Sequence, residues 1–131
     1  MKMDGRFLLD TNIVIALFAQ DNNVIEQIRR ANEVYIPAIV LGELYYGAYN
    51  SSRKDENLDR IDQLGLEVSV LACNKGTAKN YGQIKAQLKR KGKPIPENDI
   101  WIAAIAFQYD LTLVARDSHF DNISELKVAR W

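Results

Sequence analysis

The chain has one cysteine, Cys73, and one histidine, His119, among its 131 residues. A lone thiol builds no disulfide framework, and one residue of each kind builds no intrachain Cys/His zinc cluster. A Ser-His-Asp triad would have to use His119, whose neighbour Ser118 is badly placed to face the ring. Net charge is also lacking, because 17 basic and 17 acidic residues cancel. No global field therefore draws the chain to nucleic acid, and any basic surface must be local. Long apolar runs are missing as well. Asp4, Arg6 and Asp10 interrupt the opening stretch, which argues against a signal peptide. The run "IWIAAIAF", Ile100 to Phe107, is far too short to cross a bilayer. With the single thiol, this leads to the expectation of a cytoplasmic protein that uses no membrane.

What is present is ordinary in amount: 47% hydrophobic and 26% charged residues, in a chain long enough to bury one core. No repeat, linker or low-complexity segment stands out, so residues 1–131 are expected to form a single domain. Five stretches read as strands: Arg6 to Leu9, Glu33 to Ile36, Leu66 to Leu71, Leu111 to Ala115 and, more weakly patterned, Leu126 to Arg130. Helical patterns fill the gaps. They cover Thr11 to Ala31 with a break near "QDNN", then Ala38 to Tyr49, Lys54 to Leu64, Asn74 to Lys91 and Asn98 to Tyr109. Strands alternating with helices predict an α/β fold with a mostly parallel central sheet of four to five strands flanked by helices. In such a sheet, ligands collect beyond the carboxyl ends of the strands.

Four acids fall at positions where a carboxylate needs an explanation. Asp10 follows the first strand in "FLLDTNIVI", and Asp117 follows the fourth in "LVARDSHF". Taken singly, each reads as a helix cap or turn residue. Glu43 has Ile39, Val40, Tyr46 and Gly47 at helical spacing, which puts it on the apolar side of its helix unless a basic partner or the edge of the stripe relieves it. Asp99 shares a face with Ile102, Ala103 and Ala106 at the start of "NDIWIAAIAF". There a helix dipole also favours an acid, although Asn98 can serve as the cap. Glu97 is the neighbouring alternative acid.

If these acids meet in one crevice, they repel one another, and some are forced to keep a proton. A divalent cation resolves the conflict, and oxygen ligands with a partly hydrated shell suit Mg²⁺ or Mn²⁺ better than zinc. Such an ion lowers the pKa of bound water and neutralises charge on a leaving oxygen, so phosphodiester hydrolysis is the natural chemistry.

The ordered set "LLDTNIVI", "GELYYG", "ENDIWIAAIA" and "ARDSHF" is similar to the PIN-domain ribonucleases, most closely the toxin half of VapBC-type toxin–antitoxin modules. Each motif is short, but four in this order and spacing span nearly the whole chain. The resemblance implies a PIN-like three-layer fold and makes Asp10, Glu43 and Asp99 the principal metal-binding acids, with Asp117 as the fourth. It also implies Mg²⁺- or Mn²⁺-dependent endoribonuclease activity on an RNA substrate, inhibition by a small antitoxin protein, and a homodimer. Thr11 matches a small hydroxyl residue that often follows the first Asp. Ala115 departs from the pattern, since many relatives carry Thr or Ser there, and the motif leaves the role of Asp121 open.

Other surfaces carry weaker signals. "KAQLKRKGK", Lys85 to Lys93, is the densest basic patch and reads either as a solvated helix face or as a phosphate contact. Tyr45, Tyr46 and Tyr49 crowd one helix, where packing and a groove for a partner helix are the alternatives. His119 and Phe120 read as completing the loop after Asp117, with no catalytic role. Two rival functions remain. A haloacid-dehalogenase-like phosphatase needs an acid two residues after Asp10, where this chain has Asn12. A non-catalytic PIN-like scaffold that binds RNA or protein would not need all four acids.

Overall fold

In the computed structural model, which describes residues 3–131, the first strand lies at the centre of the sheet. The strands are β1 (Met3–Leu9), β2 (Ala31–Pro37), β3 (Ser69–Leu71), β4 (Thr112–Val114) and β5 (Val128–Ala129). They pair in the order β3-β2-β1-β4-β5, and every pairing is parallel. Leu8 and Leu9 are fully buried in succession, as expected where both faces of a parallel sheet are covered. The covering elements are α1 (Thr11–Phe18), α2 (Asn22–Arg30), α3 (Ala38–Tyr49), α4 (Lys54–Glu67), α5 (Lys75–Lys91) and α6 (Glu97–Gln108), followed by a 3₁₀ turn at Ser118–Asn122. The five-stranded α/β architecture expected from the pattern is therefore the observed one.

Helix boundaries follow local chemistry. The break near "QDNN" falls between α1 and α2, where the Asp21 carboxylate accepts from the backbone N–H groups of Asn23 and Val24. Asn74 and Thr77 form a reciprocal capping box at the start of α5, and Gly92, with φ of 67°, ends it in the left-handed conformation. Prolines 37 and 96 stand immediately before α3 and α6 and fix their first turns. Inside α6, Ile100 and Ile102 to Ala106 are all buried, so this helix is apolar around nearly its whole circumference.

Several boundaries shift by one to three residues: β1 begins at Met3 rather than Arg6, Ala31 opens β2 rather than closing a helix, and β5 keeps only Val128 and Ala129; the shift with the clearest cause is at β3. Leu66 and Glu67 belong to α4, not to a strand beginning at Leu66, because the helical ladder continues until Val68 N–H reaches the Leu64 carbonyl at 3.0 Å. Leu66 is consequently left 84% exposed, and β3 shrinks to three residues at the sheet edge, a length that discourages pairing with other chains.

The strand order also locates the crevice. From β1 the chain builds outward through β2 and β3, then returns to β4 on the other side of β1. The switch point lies between the carboxyl ends of β1 and β4, where Leu9 pairs with Val114. Among the described residues, no helix is long and apolar enough to cross a membrane.

Candidate metal centre

Asp10 is the first residue past β1, and its backbone N–H still donates to Val114 in β4 at 3.0 Å. Its backbone carbonyl accepts from Ile13 and Val14, opening α1, but its side chain makes no capping hydrogen bond. The residue is only 6% exposed. Burial pushes its carboxyl pKa up to about 6, opposed by a hydrogen bond from the Thr11 backbone and reinforced by the nearby charges of Asp99, Glu43 and Asp117. The capping explanation therefore does not account for this carboxylate.

Glu43 projects from α3 into the same cleft and is half-buried, with no hydrogen-bond or salt-bridge partner among the described residues. The lysine or arginine that would make it a structural ion pair is absent from that set. Asp99 stands in the first turn of α6, its backbone N–H bonded to Pro96 at 3.1 Å. Burial holds its carboxyl above the ordinary range, and His119 opposes that shift. Asp117 caps the 3₁₀ turn, its Oδ1 accepting from the His119 backbone N–H at 2.9 Å. For Asp117 the capping reading is thus correct, and the carboxylate still lines the cleft.

All four expected acids border one open cleft of about 480 Å³, together with Thr11, Asn12, Glu97 and His119. They come from the end of β1, the body of α3, the start of α6 and the loop after β4. The Thr11 hydroxyl oxygen is buried in this wall with no hydrogen-bond partner among the described residues. Clustered carboxylates, one of them strongly desolvated, beside an orphaned hydroxyl are a donor set that fits a hard divalent cation with attached water.

The imidazole of His119 was not signalled by the sequence. Its Nδ1 sits 3.0 Å from Asp99 Oδ2 and 3.0 Å from Asp117 Oδ1. The available hint was its place two residues after Asp117, where a 3₁₀ turn folds the side chain back over the acid. Two other acids are diverted from the centre. Glu97 reaches the cleft rim but is held by Lys85 at 2.7 Å and by the Tyr81 hydroxyl, and Lys85 keeps its carboxyl below the usual range. Asp121 pairs with Arg130 at 2.6 Å and does not border the cleft. Arg130 also donates to the carbonyls of Ala115 and Asp117 at 2.8 and 2.9 Å. At Ala115 the fully buried methyl supplies no hydroxyl, and its main chain anchors the loop instead.

Of the basic patch, Lys85 is committed to Glu97, and Lys91 bonds to the Asn122 carbonyl at 3.3 Å. Lys89, Arg90 and Lys93 are exposed. Tyr45 bonds to Asp62, while Tyr46 and Tyr49 lie open to solvent.

Comparison with known proteins places the chain among relatives. The PIN domain family matches residues 7–126. Ribonuclease VapC2 of Haemophilus influenzae is 34% identical, the match covering 96% of this chain and 98% of the relative. The tRNA(fMet)-specific endonuclease VapC of Shigella flexneri is 30% identical over 96% of this chain and 98% of its own length. Among solved structures, DNA-bound VapBC from Salmonella typhimurium superposes with a TM-score of 0.90 at 29% identity, covering 96% of this chain and 98% of that one.

Proposed function

The chain belongs to the PIN-domain family, and on that premise we propose that it is a divalent-metal-dependent endoribonuclease, the toxin of a toxin–antitoxin pair. The observation that carries this reading is the convergence of Asp10, Glu43, Asp99 and Asp117 on one cleft at the switch point of the sheet. Residues 1–131 act as one domain, consistent with the continuous core that runs from β1 through α6. The assigned ion is Mg²⁺ or Mn²⁺, and the work site is the cytoplasm.

Asp10, Glu43 and Asp99 would hold the ion, and Asp117 would orient the attacking water or support a second ion. When bound, the ion supplies a more acidic water and neutralises charge developing on the scissile phosphate. Asp10 contributes a carboxylate whose desolvation makes it an avid ligand once a cation compensates it. The Thr11 hydroxyl, without a hydrogen-bond partner among the described residues, can donate to or accept from a water in the cleft. The openness of the cleft to solvent admits a polymer backbone from outside rather than enclosing a small molecule. The phosphatase alternative finds Asn12 at the cleft where it needs a second acid.

The relatives support an antitoxin and an RNA as partners. An antitoxin is assigned because VapBC complexes are among the structures the chain matches, and a homodimer is assigned with it. RNA is the substrate, and tRNA belongs in the test because the Shigella relative is named for one. Purified protein is incubated with tRNA and total RNA in Mg²⁺, in Mn²⁺ and in excess chelator, alongside Asp10→Asn. Cleavage that needs the ion and the Asp10 carboxylate is expected. Equal cleavage in chelator or in the variant overturns the reading.

A further inference from the structure

Building on the metal-centre reading above, we infer that His119 is itself a ligand of the bound ion, donating Nδ1, so that the centre is a mixed nitrogen and oxygen site tuned to Mn²⁺ over Mg²⁺. Three observations support this. First, the ligand atoms are spaced as ligands. Nδ1 lies 3.0 Å from Asp99 Oδ2, with which it is hydrogen-bonded, and 3.0 Å from Asp117 Oδ1. In an octahedral shell with bonds of about 2.1 Å, neighbouring ligands stand about 3.0 Å apart. One donor atom from each of the three residues can be chosen so that all lie within 4.8 Å of one another, close enough to border one ion between Asp99 and Asp117; Asp10 and Glu43 line the same cleft outside this group of three.

Second, the ring is delivered by a fixed backbone. The His119 N–H is tied to Asp117 Oδ1 at 2.9 Å, and Arg130 holds the Asp117 carbonyl at 2.9 Å. The imidazole and the Asp117 carboxylate are thus set by one short turn. Third, the Thr11 hydroxyl, buried in the wall of the same cleft with no partner among the described residues, adds an oxygen able to hold a water of the ion's shell.

The consequence is selectivity. Mg²⁺ binds oxygen and gives up its hydration reluctantly, whereas imidazole suits first-row transition ions, whose affinity rises from Mn²⁺ towards copper. To act as a ligand, His119 exchanges the Nδ1 hydrogen bond to Asp99 for the ion, releasing any proton held there to solvent and keeping its proton on Nε2. That tautomer leaves the outward nitrogen free to donate to water or to a phosphate oxygen of the strand in the cleft.

The test uses the fact that His119 is the chain's only histidine. Untagged protein is loaded with less than one equivalent of Mn²⁺, and nitrogen coupling to the ion is read by electron spin echo modulation, with and without [¹⁵N]histidine. Coupling that changes isotope on labelling is expected. Bound Mn²⁺ without histidine coupling overturns the inference and leaves an oxygen-only metal centre standing. Failure to bind Mn²⁺ overturns both. In parallel, His119→Ala is expected to weaken Mn²⁺ binding on the order of tenfold, with Mg²⁺ binding changed less than about twofold. Equal losses for the two ions overturn the claimed selectivity, and the wild-type spectrum decides the ligand question even if that variant does not fold.

Discussion

The backbone N–H of Asp10 donates to the carbonyl of Val114 at 3.0 Å, so the ladder between β1 and β4 runs one residue beyond β1. This bond places the first acid beside the loop that carries the fourth. It also explains the burial of Asp10: the residue is still part of the sheet, and its side chain leaves the core only at the crevice.

Replacing Asp10 with asparagine should separate function from folding. The amide keeps the shape but removes the charge that the core resists. RNA cleavage and ion affinity should fall by on the order of 100-fold or more, since loss of even an outer-shell partner costs 10- to 100-fold. The metal-free variant should melt at a higher temperature than metal-free wild type at neutral pH. A lower melting temperature with retained cleavage would contradict the assignment.

The same carboxylate predicts an inverted pH profile for the metal-free protein. Its pKa is about 6 in the native state and about 3.9 in an unfolded chain. Between these values the native state binds more protons than the unfolded state, so stability falls as pH rises from about 4 to about 6 and is level above. A shift of this size is worth roughly 3 kcal/mol, and the raised Asp99 carboxyl acts in the same direction. Chemical denaturation in chelator across this window, with Asp10→Asn subtracted, isolates the effect. A difference that is flat, or that rises with pH, contradicts it. Added Mg²⁺ or Mn²⁺ should stabilise more at neutral pH than at pH 4, because protonated ligands do not bind the ion.

The basic end of α5 divides into committed and uncommitted cations. Lys89, Arg90 and Lys93 are exposed, while Lys85 is engaged by Glu97. If the free three touch RNA, each substitution by alanine should lower the log–log salt slope of binding by roughly 0.7. Lys85→Ala should change the slope less. Titration of RNA binding against salt in chelator reads this directly, and an unchanged slope in the triple variant assigns the patch to solvation alone.

Asp121 and Arg130 should behave unequally although they form one salt bridge. Asp121→Asn removes an exposed pair and should cost no more than about 1 kcal/mol, with ion affinity unchanged. Arg130→Ala also strips the donor from the carbonyls of Ala115 and Asp117. It should therefore weaken ion binding by loosening the Asp117 loop. Isothermal titration of both variants tests the asymmetry, and equal effects would show that Arg130 acts only through Asp121.

Much of this arrangement was legible in the sequence where local chemistry set it. α3 runs from Ala38 to Tyr49 as its pattern indicated, because Pro37 starts it and its apolar stripe is regular. The four acids stood out because each interrupts such a pattern. Contacts between distant segments were not legible. Glu97 and Asp99 look alike along the chain, and only the Lys85 and Tyr81 side chains arriving from α5 remove Glu97 from contention. The role of His119 is hidden in the sequence for the same reason, since its second acid, Asp99, lies 20 residues away. The start of β3 is not legible because "LEVSVL" satisfies a strand pattern while Leu66 still extends the helix before it.

The central position of β1 has a consequence for synthesis. The strand that carries Asp10 leaves the ribosome about a hundred residues before its neighbour β4 and the loop bearing Asp117. A nascent chain that has not yet reached the loop after β4 therefore has no assembled crevice, and the acids can meet only once that loop has been made.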